Sequence, residues 1–131
     1  MTRENVAGKT RFPDDWPEHL DAMISAPDHH EILLENDQVR VLDTRVGPGD
    51  STPVHTHQWP SVLYVLEWSD FVRRDPEGGT LLDSRTFGSA PVPGTVLWSD
   101  PLPPHSATNV GQQELRVIAI ELKTPHGSSR L

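Results

Sequence analysis

Thirteen prolines and nine glycines are spread along this chain of 131 residues rather than pooled in one segment. Both residue types interrupt helices and favour turns, so the chain is punctuated every several residues. Short apolar runs, such as 62–66 and 115–122, lie between the interruptions. This pattern is typical of many short strands joined by turns, and it predicts about nine or ten strands in an all-β sandwich or barrel.

Composition narrows the class of protein further. A chain of this length has room for one compact domain, and its net charge of −8 disfavours nucleic acid and anionic membrane surfaces as partners. The absence of cysteine excludes disulfides, thiolate metal sites and a cysteine nucleophile. No apolar run approaches the ~18 residues of a membrane span, and the N-terminus lacks the pattern of a secretory signal. We therefore expect a cytoplasmic protein.

The chain divides into three segments by pattern. Residues 1–29 form an N-terminal arm, in which 17–26 are predicted to be a short helix with Asp15 as its N-cap and apolar side chains at helical spacing. Residues 30–124 form the β-barrel domain. Residues 125–131 are predicted to be a frayed tail.

The first two strands predict a contact with another molecule. Runs 30–35 and 39–46 flank a turn at 35–38, which is typical of a hairpin. In the run 39–46, neither the odd-numbered nor the even-numbered residues are polar throughout. This pattern indicates that both faces of the strand are buried. We therefore expect a homodimer that uses this hairpin.

Two of the seven histidines, His55 and His57, lie two residues apart in a predicted strand. Because strand side chains alternate between faces, both imidazoles project to the same side. A third, His105, begins another predicted strand. Three neutral imidazoles suit a transition metal and leave positions open for a ligand. The other histidines are interpreted as surface or terminal side chains and are assigned no role; they are His19, His29, His30 and His126.

The residues around the histidine pair resemble the first motif of the cupin superfamily. Gly49, His55 and His57 match its glycine and its two histidines, whereas Ser61 stands where the motif has a glutamate. The hydrophobic strand that follows Ser61 is similar to the strand that follows the glutamate in the family.

A second segment is similar to the second cupin motif. Gly94, His105 and Asn109 match, with Asp100 and Leu102 in place of a proline and a glycine. Together the two motifs extend the resemblance over roughly 39–122. The resemblance implies an all-β, single-domain jelly-roll (cupin) β-barrel.

The resemblance also implies a function. One divalent transition metal, with Fe, Ni, Zn and Mn as candidates, would be held inside the barrel by His55, His57 and His105. The expected role is a dioxygenase- or isomerase-type enzyme on a small organic acid, thiol or enediol. The alternative is a non-catalytic module that binds or senses a small molecule in the same pocket. No residue is assigned a catalytic role.

Four further residues are candidates for the pocket, and they are Ser61, Gln58, Trp59 and Asn109. A serine in place of the glutamate leaves the charge of a metal uncompensated, which favours an anionic ligand. Asn109 is interpreted primarily as a hydrogen-bonding residue at the end of its strand.

The arginines divide into two groups by context. Arg73 and Arg74, next to Asp75, are interpreted as the solvated end of a hairpin. Arg40 and Arg45 lie on the strand predicted to be buried on both faces, so they are expected to pair with acids or to meet an anionic ligand.

Overall fold

The computed structural model describes residues 16–123. Residues 1–15 and 124–131, which include the predicted cap Asp15, the first half of the arm and the predicted tail, lie outside the described residues. The boundaries of the three segments remain predictions. No helix within 16–123 is both long enough and apolar enough to cross a membrane.

Nine strands occur within the described residues. They are β1 (His30–Glu35), β2 (Val39–Val46), β3 (His55–His57), β4 (Ser61–Glu67), β5 (Phe71–Arg74), β6 (Thr80–Asp83), β7 (Val96–Ser99), β8 (Leu102–Asn109) and β9 (Leu115–Leu122).

The strands form two antiparallel sheets, with orders β1-β2-β9-β4-β7 and β3-β8-β5-β6. The all-β jelly-roll prediction is confirmed. The turn between β1 and β2 is the one that the sequence predicts. Asn36 accepts hydrogen bonds from the backbone N–H groups of Gln38 and Val39 between β1 and β2. Gly78 adopts a φ of 92° between β5 and β6, a conformation that favours glycine.

Two strands differ by three or more residues from the runs 80–87 and 105–109 that the pattern of apolar and turn residues predicts. Strand β6 ends at Asp83 because this carboxylate caps the 3-10 turn Ser84–Thr86. Strand β8 starts at Leu102, although two consecutive prolines, Pro103 and Pro104, predict a break in the chain at this point. The two prolines fit because they lie opposite the register shift between β3 and β8, where no ladder N–H is needed.

The predicted helix over 17–26 is interrupted at Asp21, and this prediction is wrong in its extent. A 3-10 turn at Glu18–Leu20 is followed by α1 (Ala22–Ser25). Asp21 has a non-helical ψ of 141°, and its carboxylate accepts a hydrogen bond from Met23 N while it is held by Arg40. The aspartate therefore caps α1 instead of continuing one helix.

The inner faces of the two sheets enclose the core and a cavity. Leu42 on β2, Val65 on β4 and Ala119 on β9 are buried along the five-stranded sheet. Beside them the barrel interior opens into a cavity of about 840 Å³. The cavity lies between the inner faces of the two sheets, and side chains on these faces form its wall.

Candidate metal centre

Four histidines meet at the cavity wall: His30 on β1, His55 and His57 on β3, and His105 on β8. The ring centroid of His55 lies 5.0 Å from those of His30 and His57 and 4.4 Å from that of His105. Histidines from three strands thus form one cluster.

Strand geometry explains how three of the four meet. His55 and His57 are two residues apart on β3 and share a face. His105 lies directly opposite His55 in the β3–β8 pairing. The structure therefore brings together the three histidines singled out from the sequence.

His30 is the histidine that the sequence interpretation missed. It begins β1 and is only 4% exposed, so it is neither a loop nor a surface residue. One ring nitrogen of His30 lies within 4.8 Å of one each from His55 and His57. His105 flanks this group of three. The available signal was that a predicted strand begins at His30, but no motif marked it.

The Nδ1 atom of each histidine is engaged in a hydrogen bond. A backbone carbonyl can only accept, so each Nδ1 bonded to one must carry the proton, and Nε2 is left with its lone pair. Three histidines donate to carbonyl oxygens in this way: His30 to Ala26 at 2.9 Å, His55 to Pro53 at 2.8 Å and His105 to Pro103 at 2.8 Å.

The fourth histidine is held by a buried carboxylate. His57 Nδ1 donates to Glu121 Oε2 at 2.8 Å, and Arg40 Nε donates to Glu121 Oε1 at 2.7 Å. Arg40 in turn donates to both carboxylate oxygens of Asp21. Glu121 is fully buried on β9 and lies opposite Ser61 of β4. A carboxylate therefore lies next to Ser61, the position where the motif has its glutamate. This carboxylate binds Nδ1 of His57 and so orients the imidazole ring.

Burial keeps the histidines neutral. Loss of hydration, together with neighbouring imidazoles, lowers the pKa of His30 and of His57 to about 3 and that of His105 to about 2. Burial also lowers the pKa of His55. Burial raises the pKa of Glu121, although the charge of Arg40 opposes this rise. At neutral pH the imidazoles are in the form that binds metals.

The cavity walls beyond the histidines are largely apolar. Leucine, valine and aromatic side chains from both sheets line it, and they include Leu63, Val65, Trp68, Phe71, Leu82, Phe87, Leu97 and Val117. A cavity of this size and character is typical of a small-molecule site.

Of the four predicted pocket residues, only Ser61 is among the described residues that line the cavity. Asn109 is buried and bonded to Val46 O, to Gln113 O and to Ser69 Oγ, so it stabilises a strand end, as the primary interpretation expected. Trp59 packs under Arg40. Gln58 is half-buried outside the cavity wall.

The arginines of β2 pair with acids as expected: Arg40 with Glu121 and Asp21, and Arg45 with Asp43. The interpretation of Arg73 as a solvated hairpin end is wrong. Its side chain is half-buried and lines the cavity, because β5 directs alternate residues inward.

Comparison with solved structures identifies the class of fold. A cupin domain from Bordetella pertussis superposes with a TM-score of 0.59 at 22% identity, over 72% of this chain and 92% of that one. A double-stranded β-helix protein from Klebsiella pneumoniae superposes with a TM-score of 0.51 at 16% identity, over 75% of this chain and 78% of that one. An RmlC-like cupin from Methanocaldococcus jannaschii superposes with a TM-score of 0.50 at 11% identity, over 71% of this chain and 77% of that one. No family model and no curated protein matches the sequence.

The chain has the cupin fold, the double-stranded β-helix. Within that fold the chain carries a buried histidine cluster at the wall of a largely apolar cavity.

Proposed function

We propose that this cupin is an enzyme that binds one divalent transition metal through imidazole nitrogens and acts on a small organic molecule in the barrel cavity. His30, His55, His57 and His105 are the proposed ligands. The observation that carries the proposal is the commitment of all four Nδ1 atoms to acceptors, which leaves four unprotonated Nε2 atoms in one cluster.

The donor set fits such a metal. Two nitrogens bound to one ion at ~2.1 Å lie about 3 to 4 Å apart, and the ligand nitrogens of the histidine group of three lie within 4.8 Å of one another. Imidazole suits Fe, Ni and Zn, whereas Mn prefers oxygen ligands. We therefore favour the first three among the candidate metals.

The histidines, Glu121 and the apolar cavity wall each have a role in the proposed reaction. A bound metal would supply either Lewis-acid polarisation of a carbonyl or activation of dioxygen, which correspond to isomerase and dioxygenase chemistry. The histidines hold it, Glu121 fixes the orientation of His57, and the apolar wall excludes water around the substrate. The size of the cavity, about 840 Å³, supports turnover of a molecule larger than a simple thiol.

Elemental analysis of protein purified without a metal-affinity tag tests the metal site. We expect about one equivalent of metal in the wild type and a large loss in His55→Ala/His57→Ala and in His30→Ala. His19→Ala, which changes an exposed histidine on the 3-10 turn, should retain full content. Metal retained by the double variant would place the site elsewhere.

A second measurement separates the enzyme from a sensor. An enzyme loaded with Fe(II) should consume oxygen or form product with candidate organic acids. A binding or sensing module should show only a rise in melting temperature with the ligand.

We also propose a homodimer, with the outer face of the five-stranded sheet as its interface. One row of paired residues crosses this face: Leu34, Val41, Ile120, Val62 and Trp98. Leu34 and Trp98 are 52% and 58% exposed in one chain. An apolar stripe of this extent is typical of a surface that another molecule covers, and a second copy presents the complementary stripe.

A further inference from the structure

Arg73 differs from every other arginine within residues 16–123. Arg40, Arg45, Arg85 and Arg116 form ion pairs with carboxylates, and Arg74 donates to Thr108 Oγ1. Arg73 has no carboxylate within 4.0 Å and no side-chain hydrogen bond to any described residue. Its guanidinium group is the unpaired cation of the described chain.

The strand pairing directs this cation into the cavity. On β5, Arg73 lies between Ala107 of β8 and Leu82 of β6, and all three residues line the cavity. Ala107 is two residues from His105 on the same face of β8. Arg73 is therefore one strand away from the histidine cluster and faces the same space.

Burial makes the charge of Arg73 costly, because loss of hydration lowers the pKa of this side chain. Its guanidinium lies 5.7 Å from the ring centroid of Phe71, a cation–π contact that gives the N–H groups no hydrogen-bond acceptor. Asp100 is the one carboxylate among the described residues that line the cavity, but it is exposed and accepts a hydrogen bond from the Trp98 indole. A partly desolvated cation without a partner is stabilised by an anion that enters from outside.

We propose that Arg73 is the anchor for a carboxylate group of the substrate, whose apolar or aromatic body lies in the cavity between Arg73 and the histidine cluster. A guanidinium group binds a carboxylate through two parallel hydrogen bonds. One arginine neutralises a monoanion, whereas a phosphate carries a charge of about −1.5 to −2 and would remain partly uncompensated at Arg73. Phe71 and Leu82, on either side, provide contacts for an apolar body.

The inference rests on the proposed function because it places the substrate beside the metal, so anion binding and metal binding must be measured separately. The probes are 2-naphthoate, its neutral analogue 2-naphthamide and 2-naphthyl phosphate. Calorimetry with metal-free protein excludes coordination of the probe by a metal. Metal content is measured in parallel on each variant purified without chelator.

In the metal-free wild type, naphthoate should bind at least about tenfold more tightly than naphthamide, as a charge-assisted hydrogen-bond pair implies. Arg73→Gln should abolish this preference, and Arg73→Lys should restore part of it. Arg74→Gln is the matched control, since it removes the adjacent arginine that bonds Thr108, and it should keep the preference. Arg73→Gln removes no ion pair, so its melting temperature should not fall.

Equal binding of naphthoate and naphthamide by the wild type, or a preference that survives Arg73→Gln, would overturn the proposal. Tighter, Arg73-dependent binding of naphthyl phosphate would overturn the choice of a carboxylate. An Arg73-dependent preference in a protein that binds no metal would support the anchor while refuting the metal-dependent function. Normal metal content, together with naphthoate binding that does not depend on Arg73, would support the metal-dependent function and refute the anchor.

Discussion

At the scale of single residues, Glu121 is the feature that most changes the chemistry expected from the sequence. Ser61 replaces the glutamate of the first motif, which implied a centre whose charge is uncompensated. The fully buried Glu121 lies opposite Ser61 on the neighbouring strand and binds His57 and Arg40. Because Arg40 offsets its charge, Glu121 acts as a positioning residue for His57.

The variant Glu121→Gln tests this role. Loss of the carboxylate weakens the hold on His57 and leaves Arg40 with Asp21 alone. We expect metal affinity to fall about 10- to 100-fold and stability to fall by about 3 kcal/mol. Competition with a zinc chelator and thermal unfolding measure the two effects. Glu35→Gln, which removes the surface pair with Lys123, should change neither; an unaltered zinc affinity in Glu121→Gln would argue against the positioning role.

Ser61 offers a second test at this scale, because its buried side chain lines the cavity. Ser61→Glu should provide a carboxylate ligand, raise metal affinity and weaken binding of a small dicarboxylate by repulsion. Paired calorimetry, first with metal and then with the dicarboxylate, measures both. Ser99→Glu, at the paired position on β7, is the control. A folded Ser61→Glu variant that binds metal no better would show that position 61 is not a ligand position.

At the scale of elements, β1 contributes to two surfaces at once. Its first residue, His30, joins the cluster inside the barrel, whereas Ile32, Leu33 and Leu34 are 39%, 51% and 52% exposed. Strand β1 is also an edge strand whose pairing with β2 is irregular between Ile32 and Leu34. Such a bulge discourages edge-to-edge pairing, so the exposed apolar side chains favour a dimer through the sheet face.

Light scattering at micromolar concentration tests the dimer. The wild type should have the mass of two chains, and Leu34→Glu should have the mass of one because a charge would be buried in the interface. Leu81→Glu changes an equally exposed leucine on β6 of the other sheet and should remain dimeric. A wild-type mass of one chain would contradict the dimer.

At the scale of the whole molecule, the fold stability depends on keeping several histidines neutral. In the unfolded chain each histidine has a pKa of ~6.5. In the folded metal-free protein the pKa is about 3 for His30 and His57 and about 2 for His105. Between these values the unfolded state binds more protons. Acidification through this window therefore favours unfolding.

The stability of the metal-free protein should fall by about 1 kcal/mol per buried histidine between about pH 7.5 and 5.5. The raised pKa of Glu121 acts in the opposite direction, but as one group against several. Chemical denaturation across this range measures the slope. His105→Gln removes one of the titrating groups and should flatten the slope, whereas His19→Gln should not. A slope of zero in the wild type would show that the histidines are not neutral in the fold.

The sequence by itself determined the strand pattern and much of the histidine cluster. Strands β1 and β2 start and end where the runs 30–35 and 39–46 predict, since turn residues bound each run, and the i, i+2 spacing placed His55 and His57 on one face. These are local properties of the backbone, so a local pattern is sufficient to predict them.

Only the tertiary structure decided what surrounds those histidines. His30, Glu121 and Arg73 come from β1, β9 and β5, and their roles depend on which strands the two sheets bring to one cavity. The break at Asp21 has the same origin, because Arg40 lies far along the chain. These contacts depend on the pairing of strands that are far apart in sequence. The residues next to a side chain in sequence therefore do not indicate which side chain it contacts across the barrel.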